Sequence, residues 1–201
     1  MAIALPNFSR SPRAVQWGFE ANVQEHSSPG TNAVQTQELP GTRWLTSITW
    51  RLDADTEARI MEAWLGELNG RAGRALLHNM RRPVPRGVGG GTPLVNGAGQ
   101  SGKTIVIDGA PASTTGWLLA GDYVGIGGRV YLLKSNVNTD AGGNASLVFT
   151  FGYRGSTTDN APVTLIRPTT TFLLVSNRQA WASGPGRGSV EFTLDFEEDP
   201  Q

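Results

Sequence analysis

One segment of the chain, residues 56–68, has a convincing helical pattern, and it limits what the protein can fold into. Its large apolar side chains recur at three- and four-residue spacing, which predicts one buried stripe. The stripe consists of Ile60, Met61, Trp64, Leu65 and Leu68. Asp55 precedes it in the N-cap position, and Asn69-Gly70 follows where a left-handed helix end is favoured. Because a lone amphipathic helix must bury its stripe against another element, the sequence predicts a helix packed on a sheet.

Strand patterns occur on both sides of this helix. Residues 14–20 and 44–52 alternate apolar and polar side chains before it, and residues 172–175 and 189–196 resume that pattern near the end of the chain. Neither side alone has enough strands to cover a helix, since at least three are needed. The sequence therefore predicts that the two ends of the chain fold together into one body.

The middle of the chain has a different composition. Residues 80–91 are basic and proline-bearing and then almost purely glycine, which predicts a boundary. After it come five short strand patterns without a helix, including a hairpin that turns at Gly127-Gly128. The predicted fold is mainly β: a β-sandwich body with one helix (residues 1–86 and 169–201) and an inserted small β-barrel or sandwich, residues 87–168.

Residues 97–104, GAGQSGKT, fit the spacing of a nucleotide-binding P-loop. Such a loop needs a buried strand before it and a helix after it, whose N-terminal amides bind the phosphates. The residues that follow form a β-branched run closed by Pro111, which predicts a strand instead. We interpret Gly97, Gly102, Lys103 and Thr104 as a chance match, with a flexible turn entering a strand, and predict no cofactor.

Composition narrows the function classes. The chain has 17 basic and 17 acidic residues, so no net field favours nucleic acid, and no apolar run reaches membrane length. It has no cysteine, which fits a reducing compartment, and its first ten residues lack a secretory signal pattern. Its two histidines are far apart, so we predict no metal site and no catalytic residues. Glu191, Asp195 and Glu197 share one strand face, where a solvated surface is a simpler interpretation than paired-carboxylate catalysis.

Several segments, taken in chain order, resemble distal tail proteins of long-tailed bacteriophages, and together they cover nearly the whole chain. They are the tryptophan-rich first strand, residues 49–77 around the helix, the PRG turn at 85–87, PLVNGAGQSGKTIVIDGAP (93–111), GWLLAGDYVGIGGRVYLL (116–133) and the closing VEFTLDFEE (190–198).

This resemblance implies a β-sandwich belt domain that closes into a homo-oligomeric, hexameric ring at the lower end of the tail tube. The ring would link the tail tube protein to the tail tip, hub or baseplate, and the inserted module would point outward, where receptor-binding proteins dock. It also implies a structural rather than enzymatic protein, located in the virion tail and assembled in the host cytoplasm. Catalytic residues are not part of what the resemblance implies.

Six residues are candidates for interaction with partners. Phe8 lies in residues 1–13 and Arg187 in residues 183–188, two segments that could reach a neighbouring subunit or be an ordinary terminus and loop. Arg81 and Arg82 could line a channel for DNA, bind a partner's carboxylates or belong to a solvated linker. Trp117 and Trp181 could anchor an interface, stack on a sugar or lie partly buried under a loop.

Three functions from different classes remain open. The first is a structural ring component, and the second is a carbohydrate-binding module that acts at the host cell surface. A P-loop enzyme is a distant third.

Overall fold

A computed structural model describes residues 2–53, 55–183 and 189–199. The described residues contain one α-helix, α1 (Asp55–Leu68), followed by a short 3-10 turn at Gly70–Ala72. The strands are β1 (Ala2–Ala4), β2 (Ala14–Glu20), β3 (Val23–Ser27), β4 (Val34–Glu38), β5 (Arg43–Leu52), β6 (Arg74–Leu77), β7 (Leu94–Val95), β8 (Gly102–Asp108), β9 (Tyr123–Ile126), β10 (Arg129–Leu132), β11 (Ala145–Tyr153), β12 (Val163–Thr164), β13 (Thr170–Leu174), β14 (Ala182–Ser183) and β15 (Val190–Glu198).

The body is built on one sheet that joins the two ends of the chain. Its strands run in the order β1-β6-β13-β15-β5-β2, and β14 pairs with β15. The last long strand, β15, pairs antiparallel with β5 along its length, with Phe192 opposite Trp50. The prediction of a mainly β fold with a β-sandwich body and one helix is confirmed.

Alternation along the strands produces the body's core. Every second residue of β5 faces inward, and Trp44, Ile48, Trp50 and Leu52 are all at least 95% buried. Phe192, Leu194 and Phe196 of β15 face the same interior.

Helix α1 packs its stripe onto this core, with one correction to the predicted set. Met61, Trp64, Leu65 and Leu68 are buried as predicted, but Ile60 is 44% exposed and Ala58 is buried instead. Successive helical residues are about 100° apart, so a stripe centred on Met61 leaves its immediate neighbour at the rim. The predicted left-handed helix end is confirmed by φ values of 49° at Asn69 and 62° at Gly70.

The middle of the chain has its own core between two three-stranded sheets, β10-β9-β12 and β11-β8-β7. Ile105 and Ile107 of β8 and Leu147 and Phe149 of β11 are fully buried there. The hairpin of β9 and β10 turns at Gly127-Gly128, as predicted, and both glycines have positive φ.

The segment that enters this middle part is held in place by backbone hydrogen bonds. The N–H of Val88 donates to the Gly116 carbonyl (3.1 Å), and that of Gly89 donates to the Trp117 carbonyl (2.8 Å). At Gly87 a Cβ would lie 2.3 Å from the Trp117 carbonyl oxygen, so the close approach requires glycine. Residues 87–89 are thus ordered by contacts with residues 116 and 117.

Candidate functional site

The P-loop-like residues lie in a turn and a strand, as predicted. β8 begins at Gly102, and its Lys103 ammonium lies 3.1 Å from the Glu38 carboxylate. The side-chain amide of Gln100 fills the preceding turn, because it accepts from the Val106 N–H (2.6 Å) and donates to the Asn96 carbonyl (2.8 Å). Since a strand follows, these residues lack the helix N-terminus that binds phosphate.

Trp117 is not a surface residue, which corrects its selection as an interaction candidate. Its side chain is fully buried in the core between the two small sheets, and its Nε1–H donates to the Gly90 carbonyl (3.2 Å). The glycines near Trp117 in the sequence suggest a loop. However, burial of the large apolar indole ring is favourable once its single N–H donor has a partner. It cannot stack on a sugar or anchor a partner.

Phe8 packs on its own subunit. Its ring centroid lies 4.9 Å from that of Trp50, and the neighbouring Ser9 N–H donates to Glu57 of α1 (2.8 Å). Before it, β1 pairs in parallel with β6. The described part of residues 1–13 thus crosses its own body instead of extending away, because its apolar side chains find cover there.

Trp181 remains at the surface. It is 41% exposed, and its ring centroid lies 5.6 Å from that of Phe192. Arg187, another interaction candidate, lies outside the described residues.

Arg81 and Arg82 are both exposed, and they precede Pro83 at the joint between the body and the middle of the chain. Asn79 shapes this turn, because its side-chain oxygen accepts from the Arg81 N–H and its carbonyl accepts from the Arg82 N–H. The two guanidinium groups are thereby presented to solvent beside the exposed Val84.

Two of the three carboxylates on the outer face of β15 pair with arginines. Glu191 pairs with Arg13 (3.0 Å), and Glu197 pairs with Arg43 (3.3 Å) and with Arg71. The exposed Glu191 pair and the exposed Asp195 fit the predicted solvated strand face, whereas Glu197 is only 15% exposed beneath its two arginines. Across the described part of the chain, no three histidine or acidic side chains group closely enough to hold a metal ion.

Two strands project as an arm that is exposed on both faces. β3 and β4 pair antiparallel, and all ten of their residues are exposed. Val23 is 43% and Val34 is 60% exposed, and the register places both on one face of the arm, while the other face carries only glutamines and His26. An isolated two-stranded hairpin is marginal in water.

A buried carboxylate joins the body to the middle of the chain. Glu198, 3% exposed, accepts hydrogen bonds from the Thr170 hydroxyl and the Trp44 backbone N–H, both at 3.1 Å. Its two oxygens also lie 3.8 Å from Arg129 and Arg154, which come from β10 and the end of β11. Burial, with repulsion from Arg129, lowers the pKa of Arg154.

Aromatic contacts surround this charged group. The Trp44 ring centroid is 5.7 Å from that of Tyr123 and 5.9 Å from that of Phe151, and its Nε1–H donates to the Val130 carbonyl (2.8 Å). Trp17 also contacts Tyr123, with ring centroids 6.4 Å apart. The middle of the chain is thus fixed onto the body by apolar and charged contacts together.

Sequence reasoning missed Glu198, although a signal exists. It continues the period-two series of Phe192, Leu194 and Phe196, so it belongs to the inward face of β15. A carboxylate on a buried face requires partners, and their location at distant positions in the chain is not visible in the sequence.

Comparison with known proteins returned no family model that matches this chain and no curated protein that matches it. Among the described residues, α1 is too short and too polar to cross a membrane, as is every other helical segment.

Proposed function

We propose that this protein is a structural subunit of a ring at the distal end of a bacteriophage tail tube. In this role it links the tube protein to the tail tip or baseplate and offers its middle module for docking of receptor-binding proteins. The ring is a hexamer in the virion tail, assembled in the host cytoplasm. The proposal combines the resemblance of the sequence with one structural observation, the exposed arm.

The arm supports assembly because a two-stranded hairpin that is exposed on both faces has few contacts within its own chain to stabilise it. Both of its apolar side chains, Val23 and Val34, lie on one face together with Glu25. If a neighbouring subunit buries this face of the arm, the two subunits form a head-to-tail contact. Repeated contacts of this kind close into a ring when the rotation between subunits allows it.

The fixed attachment of the middle module also fits a structural role. Glu198 and its arginine and aromatic neighbours hold the module at one orientation to the body. A partner docked on the module would therefore have a defined position relative to the tail axis.

The carbohydrate-binding alternative has less support. Trp117 is buried, and the remaining exposed candidate, Trp181, precedes β14 in the body rather than lying in the middle module. Binding of the full-length protein to a glycan array would support this alternative.

The proposal is tested by measuring mass in solution, with light scattering and negative-stain images. We expect a discrete ring, alone or with the tube protein, and we expect Val34→Asp to weaken assembly about tenfold or more because it places a charge in the contact. Val106→Asp, at an exposed valine of β8, is the control and should leave assembly unchanged. A wild-type protein that stays monomeric at micromolar concentrations, even with the tube protein, would contradict the proposal.

A further inference from the structure

An apolar groove runs along the joint between the body and the middle of the chain. Its rim carries three of the most exposed large apolar side chains of the described residues: Val84 (57% exposed), Val88 (71%) and Ile166 (64%). The groove has a volume of about 530 Å³, and Pro85, Pro93, Leu94, Pro162 and Leu165 complete its walls. Contiguous exposed apolar surface of this kind marks an interaction site.

The groove is preformed. Its two walls are tied together, since the Arg167 N–H donates to the Pro83 carbonyl (2.6 Å) and the Val163 N–H donates to the Pro93 carbonyl (2.9 Å). The Thr92 N–H is held by the Gly109 carbonyl (3.0 Å), and a Cβ at Gly91 would lie 2.7 Å from that same oxygen. A ligand therefore does not have to order these segments when it binds.

One end of the groove carries unpaired positive charge. Arg81 and Arg82 are exposed and line, with Val84, a cleft that adjoins the groove. Arg167, which follows Ile166, is exposed beside His78. Within the described residues these three arginines form no ion pair, whereas most of the other described arginines do. Arginine at a surface of this kind favours carboxylates, which its planar group binds through two parallel hydrogen bonds.

We propose that this groove binds an extended acidic segment of a separate partner protein. Apolar side chains of the segment occupy the groove between Val84, Val88 and Ile166, and carboxylates that follow them pair with Arg81 and Arg82. The charge argues against nucleic acid as the occupant, because the basic side chains stand at one end only and the remaining surface is apolar, without a track for a phosphate backbone. This site is additional to the ring contact and does not depend on it.

The test uses the full chain, which lacks cysteine, so that Val88→Cys gives a single thiol for an environment-sensitive fluorophore. The probe is a synthetic peptide of leucines and prolines followed by glutamates. We expect a saturable blue shift of the fluorophore on the Val88→Cys protein. The same fluorophore on Val175→Cys, an exposed valine after β13, should show no shift.

Charge reversal distinguishes binding at this site from non-specific electrostatic attraction between peptide and protein. Arg81→Glu combined with Arg82→Glu should weaken binding of the peptide about tenfold or more, since charge-assisted hydrogen bonds are lost. The matched control combines Lys134→Glu with Arg178→Glu, which changes the net charge equally at exposed cations outside the groove, and it should bind as tightly as the unreversed protein. Replacing the glutamates of the peptide with glutamines should weaken binding to the same degree as the reversal.

Three results would overturn the proposal. The first is that the glutamate and glutamine peptides behave alike, either because they bind equally tightly or because neither shifts the fluorescence. The second is tighter binding of a single-stranded oligonucleotide that is lost with the same arginine reversal. The third is a shift that depends on protein concentration without peptide, because it would make a second copy of this chain the occupant.

Discussion

Glu198 shows how one side chain can connect two parts of a protein. It is the carboxylate on the inward face of the last strand, and it meets backbone and hydroxyl donors of the body and two arginines of the middle module. Removing one partner from a buried group of charges leaves the others uncompensated, which costs more than the intact group contributes.

We therefore expect Glu198→Gln to lower the free energy of unfolding by about 3 kcal/mol, because the largely buried Arg129 and Arg154 lose the negative charge that lies 3.8 Å from each of them. Glu191→Gln is the matched control on the same strand, where an exposed pair with Arg13 is lost, and it should cost about 0.5 kcal/mol or less. Urea denaturation of the two variants compares them. Equal losses would show that the carboxylate of Glu198 does not act as the central charge.

His78 gives the protein a pH dependence with a defined direction. The side chain is half-buried at the end of β6, and burial, followed by repulsion from Arg167, lowers its pKa in the folded state. The unfolded chain then binds a proton more readily than the folded chain below pH about 6.5, so the stability contributed by neutral His78 is complete above that pH and is lost as the pH falls. His78→Gln should flatten the fall in stability measured by urea denaturation between about pH 7.5 and 5.5. His26→Gln, in the exposed arm, should leave the wild-type slope.

Among the elements, those with long periodic patterns could be predicted from the sequence. α1, β2, β5, the Gly127-Gly128 hairpin and β15 all form close to the predicted residues, because each pattern states which face is buried. Whether a side chain at the rim of the apolar stripe, such as Ile60, is buried depends on where the sheet lies relative to the helix, and this could not be predicted.

The elements that could bear function were the harder ones to predict. Trp117 looked like a loop residue because local glycines say nothing of the distant strands that enclose it. The exposure of the arm on both faces could not be predicted, since it depends on the absence of other elements packed against β3 and β4. The groove at the joint arises from two segments about eighty residues apart in the chain, and only their pairing in three dimensions brings Val84 and Ile166 together.

The whole molecule depends on the meeting of its two ends. In the body sheet, β13 and β15 lie between β6 and β5, so strands from the end of the chain separate strands that come from its beginning. Without them, β5 and β6 would be about three strand spacings, or roughly 14 Å, apart, and the inward faces that bury the stripe of α1 would be discontinuous.

From this arrangement we expect residues 1–80 to remain unfolded when expressed alone. Trp50 would lose its cross-strand partner Phe192, and Trp64 would lose Phe196, so the fragment could not assemble a core over its helix. Far-UV circular dichroism and urea titration should show no cooperative transition for the fragment, while the full chain shows one. A fragment that unfolds cooperatively would mean that the N-terminal strands close a sheet by themselves, and the role assigned to β15 in holding body and module together would then be wrong.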